Sequence, residues 1–221
     1  NVLFDGMNSL AQGMVDRTYS LGSPVDYEPT PDKTIAAIAK AQGRDPLEVL
    51  YDTYSEHNAG AMSMVPFFNY SEGNQDAVRE MLLHPAGVAG LSDGGAHCAM
   101  ICDASYPTYL LSFWAKEGAR TRGPGLPIEY VVKKQSLDTA TLYGLNDRGV
   151  IAEGKKGDIN IIDMNRIEVG RPHMAYDLPA GGKRLLQGAT GYVNTIVSGV
   201  VTRRNGVDTG ARPGRLVRGQ R

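Results

Sequence analysis

The sequence predicts an α/β protein, and three observations carry that prediction. Apolar residues recur at helical spacing after residue 32. Residues 62–70 and 88–92 are short apolar runs with a helical pattern between them. From residue 148 onward, short β-branched runs alternate with glycine-rich turns. A strand, a helix and a strand at this spacing predict a βαβ unit, and therefore a parallel sheet with a right-handed crossover.

Two helices are predicted after a loop that spans residues 1–31. The first helix begins after Asp32, a residue suited to cap it, and ends at Gly43. The second begins at Asp45-Pro46, since an N-cap followed by proline is a frequent helix start. The apolar sides of the two helices are formed by Ile35, Ile38, Ala39, Leu47, Val49, Leu50 and Tyr54.

The next elements lead to a carboxylate. A strand is predicted over residues 62–70, then a helix that begins at residues 74–76 and ends at His84-Pro85. The apolar run 88–92 then ends in Asp93, which two glycines follow. A polar group at the end of a buried strand faces the active site of a β/α barrel. The alternative is a simple turn in which Asp93 bonds its own backbone.

The remaining chain divides into helices and then strands. Residues 105–115 and 127–145 show helical apolar patterns, separated by a loop rich in glycine and proline. Strands are predicted over residues 150–152 and 159–163, and a hairpin over 192–203 has its turn at Ser198-Gly199. A basic, glycine-rich tail follows at residues 209–215. We therefore predict one domain over residues 1–147 and a β-rich second domain over residues 148–221.

The composition is that of an ordinary globular protein. Of the 221 residues, 42% are hydrophobic and 21% are charged, and the formal net charge is −1. Such a charge gives no reason to expect capture of nucleic acid or of an anionic membrane. No apolar run approaches the ~20 residues of a membrane helix. The two cysteines, Cys98 and Cys102, are too few to stabilise a domain of this size by disulfide bonds. We therefore expect a cytoplasmic setting in which both thiols are reduced.

Several short motifs, taken in their order along the chain, resemble the C-terminal part of the N-acyl-D-amino-acid deacylases, the D-aminoacylase-like members of the amidohydrolase superfamily. The first is Gly90-Leu-Ser-Asp-Gly-Gly-Ala-His97. The others are Leu142-Tyr-Gly-Leu-Asn-Asp-Arg-Gly149, Ile151-Ala-Glu-Gly154, Gly157-Asp-Ile-Asn-Ile-Ile-Asp163, Tyr176-Asp-Leu-Pro-Ala-Gly-Gly182, Gly199-Val-Val-Thr-Arg203 and Thr209-Gly-Ala-Arg-Pro-Gly-Arg215. Each motif alone has low specificity, but together they span most of the chain.

This resemblance implies the C-terminal part of a metal-dependent β/α (TIM-type) barrel, plus the C-terminal share of a small β-sandwich. It also implies that Asp93 contacts the metal, expected to be zinc, and acts as general base toward a metal-bound water that attacks the acyl amide. The same carboxyl group then protonates the leaving amine. The implied partner is a small N-acyl amino acid. His97, Ser92, Gly94 and Gly95 are expected around Asp93, where they orient it or contact substrate.

The chain departs from the family in its histidines. The family has a His-x-His pair and further histidine ligands, whereas this chain has only His57, His84, His97 and His173, with no His-x-His. One carboxylate without histidines does not make a zinc site. We therefore expect a fragment that is inactive alone, with the other ligands outside this chain. His57 and His84 are expected at helix ends, His173 in a loop, and the two cysteines as structural thiols.

Other functions stay open at this stage. The substrate could be a cyclic amide of the dihydropyrimidine or hydantoin type, or the chain could be a non-catalytic interaction module. The helical segment near residues 30–60 corresponds to an insertion in D-aminoacylase-like enzymes, and could be a lid or a pair of ordinary outer helices. The sequence does not predict the oligomeric state.

Overall fold

The computed structural model describes residues 13–55, 61–90 and 97–218. These residues form a mixture of helices and strands, consistent with the predicted α/β class. The chain forms two compact units, Asn1–His84 and Pro85–Arg221. The sequence predicted a domain boundary at residue 147, and the division into compact units lies elsewhere, between His84 and Pro85. The domain boundary at residue 147 stays a prediction.

Among its described residues, the first unit contains the end of a helix at residues 13–15, three further α-helices and one pair of short strands. The helices are α1 (Ile35–Gln42), α2 (Pro46–Ser55) and α3 (Asp76–Leu83). Strands β1 (Tyr19–Ser20) and β2 (Ser63–Met64) pair in antiparallel orientation. A 3-10 turn, Pro31–Lys33, leads into α1.

The ends of α1 and α2 follow from their capping residues. Thr34, and not Asp32 as expected from the sequence, caps α1, because its hydroxyl oxygen accepts the Ala37 N–H at 3.1 Å. Gly43 ends α1 in the left-handed region at φ 64°. The Asp45 carboxylate accepts the Leu47 N–H at 2.8 Å at the start of α2, as predicted.

The core of this unit lies between α1 and α2. Val15, Ile35, Ala39 and Val49 form its buried cluster, and Ile38 and Leu50 pack against it. Leu47 and Tyr54, which the sequence assigned to the apolar side of α2, are exposed. The helical pattern therefore identified α1 and α2 correctly, although only part of the apolar side of α2 is buried.

Helix α3 begins and ends where the sequence indicated. The Asn74 side chain accepts the Asp76 N–H at 2.9 Å, and the buried Glu28 carboxylate accepts the Gln75 N–H at 2.8 Å. Both acceptors satisfy amide groups that a helix start leaves without intrahelical partners. The helix ends at His84, whose backbone N–H donates to Glu80.

The strand predicted over residues 62–70 is much shorter than expected, since only Ser63–Met64 is a strand. Pro66 has no N–H for a sheet ladder, and the next residues, Phe67 and Phe68, are exposed. The apolar pattern of this segment therefore reflects surface aromatic residues as well as a strand.

The second unit begins with helices that contain wide turns. The first run begins with α4 (Tyr106–Tyr109) and continues as a π-helical segment, Leu110–Ala115. The second run begins with α5 (Ile128–Lys133), continues as the π-helical segment Lys134–Asp138 and ends with α6 (Thr139–Leu142). These helices match the predicted patterns at residues 105–115 and 127–145. Their buried residues include Leu110, Leu111, Trp114, Val131 and Ala140.

The strands in the described part of the second unit form three sheets. A four-stranded antiparallel sheet has the order β10 (Val207–Asp208), β9 (Val200–Arg204), β8 (Tyr192–Val197), β3 (Ile159–Ile162). The two-stranded sheets pair β4 (Glu168–Val169) with β7 (Ala189–Thr190), and β5 (His173–Leu178) with β6 (Gly182–Leu186). The hairpin β8–β9 has its turn at Ser198-Gly199, as predicted, with positive φ at both residues.

Three local predictions in the second unit are wrong. Residues 150–152 are not a strand, because Gly149 at φ 89° and the Lys156 N–H bond to Asp147 turn the chain there. His173 lies on β5 and pairs with Leu186, so it is not a loop residue. Residues 88–90, the described part of the predicted strand before Asp93, are not in a strand, and Val88 is 41% exposed.

All strand pairs among the described residues are antiparallel. The βαβ prediction for residues 62–92 is therefore not realised there, since β2 pairs with β1 in antiparallel orientation and residues 88–90 add no strand. The β/α barrel and the β-sandwich stay predictions. In the part of the chain that the structure covers, no helix is long and apolar enough to cross a membrane.

Candidate functional site

The predicted site centres on Asp93 and its neighbours in the sequence; residues 91–96 are called the Asp93 loop after the turn that the sequence predicts there. Ser92, Asp93, Gly94 and Gly95 lie outside the described residues, which stop at Gly90 and resume at His97. The predicted roles of these four residues therefore stay predictions. The described chain on either side shows how the two flanks of this loop are held.

The flank before the loop is held by a buried lysine. Lys134 follows α5 and is only 5% exposed, and its ammonium group donates a hydrogen bond of 2.5 Å to the Gly87 carbonyl. The same Nζ atom lies 5.6 Å from the centre of the Tyr130 ring, within range of a cation–π interaction. A buried charge thus contacts the backbone six residues before Asp93.

The flank after the loop begins with a turn at His97. This residue has φ 58°, an uncommon value for a residue with a side chain, and its carbonyl accepts the N–H groups of Met100 and Ile101. The next carbonyl, that of Cys98, accepts the Leu185 N–H at 2.7 Å. The turn that begins at His97 is therefore joined to β6. The imidazole of His97 is exposed, and its role stays a prediction.

A polar cluster lies further along this flank. The Gln187 side-chain oxygen accepts hydrogen bonds from the Ser105 hydroxyl and from the Cys102 thiol, the latter at 3.9 Å. The Gln187 amide donates to the Gly170 carbonyl at 2.8 Å. Burial, and to a lesser extent the charge of Asp103, raise the pKa of the Cys102 thiol above its usual value. Cys102 is thus a protonated hydrogen-bond donor at neutral pH, in keeping with the predicted structural role.

The described residues do not by themselves fit a metal ion. Within residues 13–55, 61–90 and 97–218, no three histidine, cysteine, aspartate or glutamate side chains converge to hold one. His84, His97 and His173 are exposed on three separate elements, at the end of α3, in the turn after the loop and on β5. His57, like Asp93, lies outside these residues. We therefore assign no catalytic step to a metal among them.

Lys134 and Gln187 were not predicted from the sequence as residues of this region. A signal for Lys134 was present, since it follows Val131 by three residues and so shares the buried face of the helix. Gln187 gave no comparable signal, because its contacts join it to residues 82 and 17 positions away.

Comparison with protein families supplies the assignment that these local contacts do not give. A model described as the amidohydrolase family matches residues 7–203, which is most of the chain and includes the Asp93 loop with both flanks. The chain belongs to the amidohydrolase family. Comparisons with curated proteins and with solved structures give no match.

Family membership makes this protein a hydrolase of amide-type bonds. Amidohydrolases are in general metal-dependent, so a divalent metal is expected in the complete site even though the described residues do not converge on one. The match does not distinguish one amide substrate from another.

Proposed function

We propose that this amidohydrolase cleaves non-peptide C–N amide bonds and removes the acyl group from N-acyl-D-amino acids. The observation that carries the proposal is the family match over residues 7–203 together with the order of motifs inside it, from Ser92-Asp-Gly-Gly95 to the glycine-rich segments after residue 148. Asp93 is the proposed catalytic residue because the resemblance to the D-aminoacylase-like enzymes implies that role for the aspartate of the first motif.

The proposed chemistry needs a group that first accepts and then returns a proton. A carboxylate of ordinary pKa is ionised at neutral pH and can accept the proton of the attacking water. The same group, once protonated, can supply the proton that the departing amine nitrogen requires. Asp93 would perform both steps, which explains why one acidic residue suffices for proton transfer.

We propose zinc as the metal, with Asp93 as one oxygen ligand and the other ligands outside the described residues. A bound divalent metal lowers the pKa of water toward ~7. The proposed contacts to substrate, or to Asp93 itself, come from Ser92, Gly94, Gly95 and His97. The two glycines suit this role because glycine permits close approach of the backbone to a ligand. The proposed scaffold is a β/α barrel with an attached β-sandwich.

We also propose a cytoplasmic setting and a small-molecule substrate, without nucleic acid or membrane as a partner. The small number of cysteines supports this setting, because Cys98 and Cys102 are too few to crosslink a domain of this size. Free thiols persist where the compartment is reducing.

The first experiment compares substrates on the complete protein that carries this chain. Hydrolysis of N-acetyl-D-amino acids should exceed that of their L-enantiomers and of dihydropyrimidines and hydantoins. Preference for a cyclic amide would replace the proposed substrate class while retaining the amidohydrolase assignment. Absence of hydrolysis from every amide tested, with metal supplied, would favour the interaction module.

The second experiment tests Asp93 directly. Asp93→Ala should lower kcat by about 10²- to 10⁴-fold, the usual contribution of general acid–base catalysis. Asp16→Asn is the control, because Asp16 is an exposed aspartate in the first unit. Circular dichroism should show the same fold for both variants and the wild type. Turnover close to wild type in Asp93→Ala would remove this residue from the mechanism.

A further inference from the structure

We propose that Lys134 is a positioning residue for the Asp93 loop, holding the chain before it by a buried hydrogen bond to Gly87. This inference rests on the proposed function only in taking Asp93 as the catalytic group. It assigns to Lys134 a role through the backbone and not through contact with substrate.

The burial of Lys134 is the first observation behind this role. Lysine is almost never fully buried unless its charge is satisfied, since removal of an ammonium group from water is costly. At 5% exposure, the Lys134 ammonium group offsets part of that cost through contacts that include the Gly87 carbonyl and the face of the Tyr130 ring. A hydrogen bond from a charged donor is stronger than a neutral one, so it holds the Gly87 carbonyl firmly.

The helix around Lys134 contains a wide turn. Lys134 is the first residue of a π-helical segment, which ends at Asp138. Wide turns of this kind are rare and occur often at functional sites. The Thr139 hydroxyl donates to the Lys134 carbonyl at 3.0 Å, and the Ser136 hydroxyl donates to the Val132 carbonyl at 2.5 Å. These two side chains satisfy backbone groups of the wide turn and so stabilise it.

The sequence between the two anchored carbonyl groups is rich in glycine. The chain from Gly87 to Cys98 includes Gly90, Gly94 and Gly95, and glycine loses more conformational freedom on ordering than any other residue. Lys134 holds one end of this segment and the Leu185 N–H holds the other. Fixing both ends reduces the conformations open to the residues between them, and Asp93 is one of those residues.

The adjacent lysine provides a matched control. Lys133 lies next to Lys134 on the same helical run, but it is exposed and its ammonium group pairs with Asp138. Replacement of either lysine by methionine removes one positive charge, and the two charges lie at adjacent positions of the chain. Only the change at residue 134 removes the hydrogen bond to Gly87.

The first measurement is independent of catalysis. Hydrogen exchange followed by mass spectrometry on the full protein should show at least about tenfold faster exchange over residues 87–98 in Lys134→Met, because local opening becomes easier. Lys133→Met should exchange as the wild type does. Lys134→Gln serves where the methionine variant fails to fold, and it should also exchange faster than the wild type because its shorter, uncharged side chain loses the charged hydrogen bond. Lys134→Arg should restore part of the protection. Unchanged exchange over residues 87–98 in folded Lys134→Met, or in Lys134→Gln where the methionine variant does not fold, would overturn the proposal.

The second measurement separates positioning from general stability. With an N-acyl-D-amino acid as substrate, Lys134→Met should lower kcat by about 10- to 100-fold with little change in KM, because a displaced Asp93 affects the chemical step. Lys133→Met should retain wild-type kcat. Faster exchange with an unchanged kcat would overturn the positioning role. If the wild type does not cleave this substrate, the proposed function fails, while the exchange data still decide whether Lys134 holds the loop.

Discussion

Gly191 shows how a single residue can determine the packing of the second unit. Its φ is 91°, and a Cβ atom added there would lie 2.6 Å from the Cα of Ile167 and 2.7 Å from its nitrogen. Ile167 is only 1% exposed, so its backbone cannot move without disturbing the core. The Gly191 carbonyl also accepts the Asp163 N–H at 2.8 Å. Only glycine satisfies both the backbone angle and the close approach at this position.

We therefore expect Gly191→Ala to destabilise the protein more than a glycine change that alters the backbone angle alone. Gly206→Ala is the control, because Gly206 has φ 79° and open space around the added methyl group. The control should lower the free energy of unfolding by about 1–2 kcal/mol. Gly191→Ala should cost a further ~1–3 kcal/mol for overpacking. Urea denaturation measures both, and equal losses would show that Ile167 moves aside without cost.

Prediction from sequence succeeded at residues whose role is local. Asp45 and Ser198-Gly199 were identified correctly because capping and turn preferences depend on a few neighbouring residues. Lys134 was missed because its function depends on Gly87, 47 residues away. The Asp93 motif was recognised through its resemblance to a family, while its geometry lies outside the described residues.

At the scale of elements, helices were predicted better than strands. A helix is determined by its own periodicity and caps, and α1, α2 and α3 are all present. A strand needs a partner. In the run 62–70 only Ser63–Met64 has one, and the run 150–152 forms no strand although its residues favour one. The hairpin β8–β9 is the exception, because its turn brings the partner strand alongside.

The turn of that hairpin is also held by a residue outside it. The Asp158 carboxylate accepts the Ser198 N–H at 2.8 Å, and its other oxygen lies 3.5 Å from Arg148 and 3.7 Å from Lys156. The Gly199 N–H donates to the Gly157 carbonyl at 2.8 Å. Residues 157 and 158 thus connect the start of β3 to the turn between β8 and β9.

We expect Asp158→Ala to lower the free energy of unfolding by about 1–2 kcal/mol, because it removes a hydrogen bond to a charged acceptor. Asp158→Asn is the matched control, since its side-chain oxygen can still accept the Ser198 N–H. The asparagine variant should retain most of the stability, because ion pairs near the surface contribute little. Urea denaturation of the two variants measures the difference. Equal losses in both would assign the effect to the charge of Asp158 and not to its hydrogen bond.

At the scale of the whole molecule, two divisions of the chain can be distinguished. Along the chain, the structure divides into compact units between His84 and Pro85, and each unit has its own buried residues. The sequence predicted a domain boundary at residue 147. Trp114 is the single tryptophan and is 1% exposed, so its fluorescence reports on the core around it. The two divisions place Trp114 differently, since only the predicted one includes it in the same domain as Ile35.

If Asn1–His84 and Pro85–Arg221 unfold independently, a change in the first core should not alter the tryptophan signal. Ile35 is fully buried, and Ile35→Ala should destabilise its own core by about 2–5 kcal/mol. We expect the urea midpoint measured by circular dichroism to fall, while the midpoint measured by Trp114 fluorescence stays at its wild-type value. Leu111→Ala, in the core of the second unit, should shift the fluorescence midpoint instead. An equal fall of both midpoints in Ile35→Ala would mean that residues 1–84 unfold together with the helices that follow them, as the boundary at residue 147 requires.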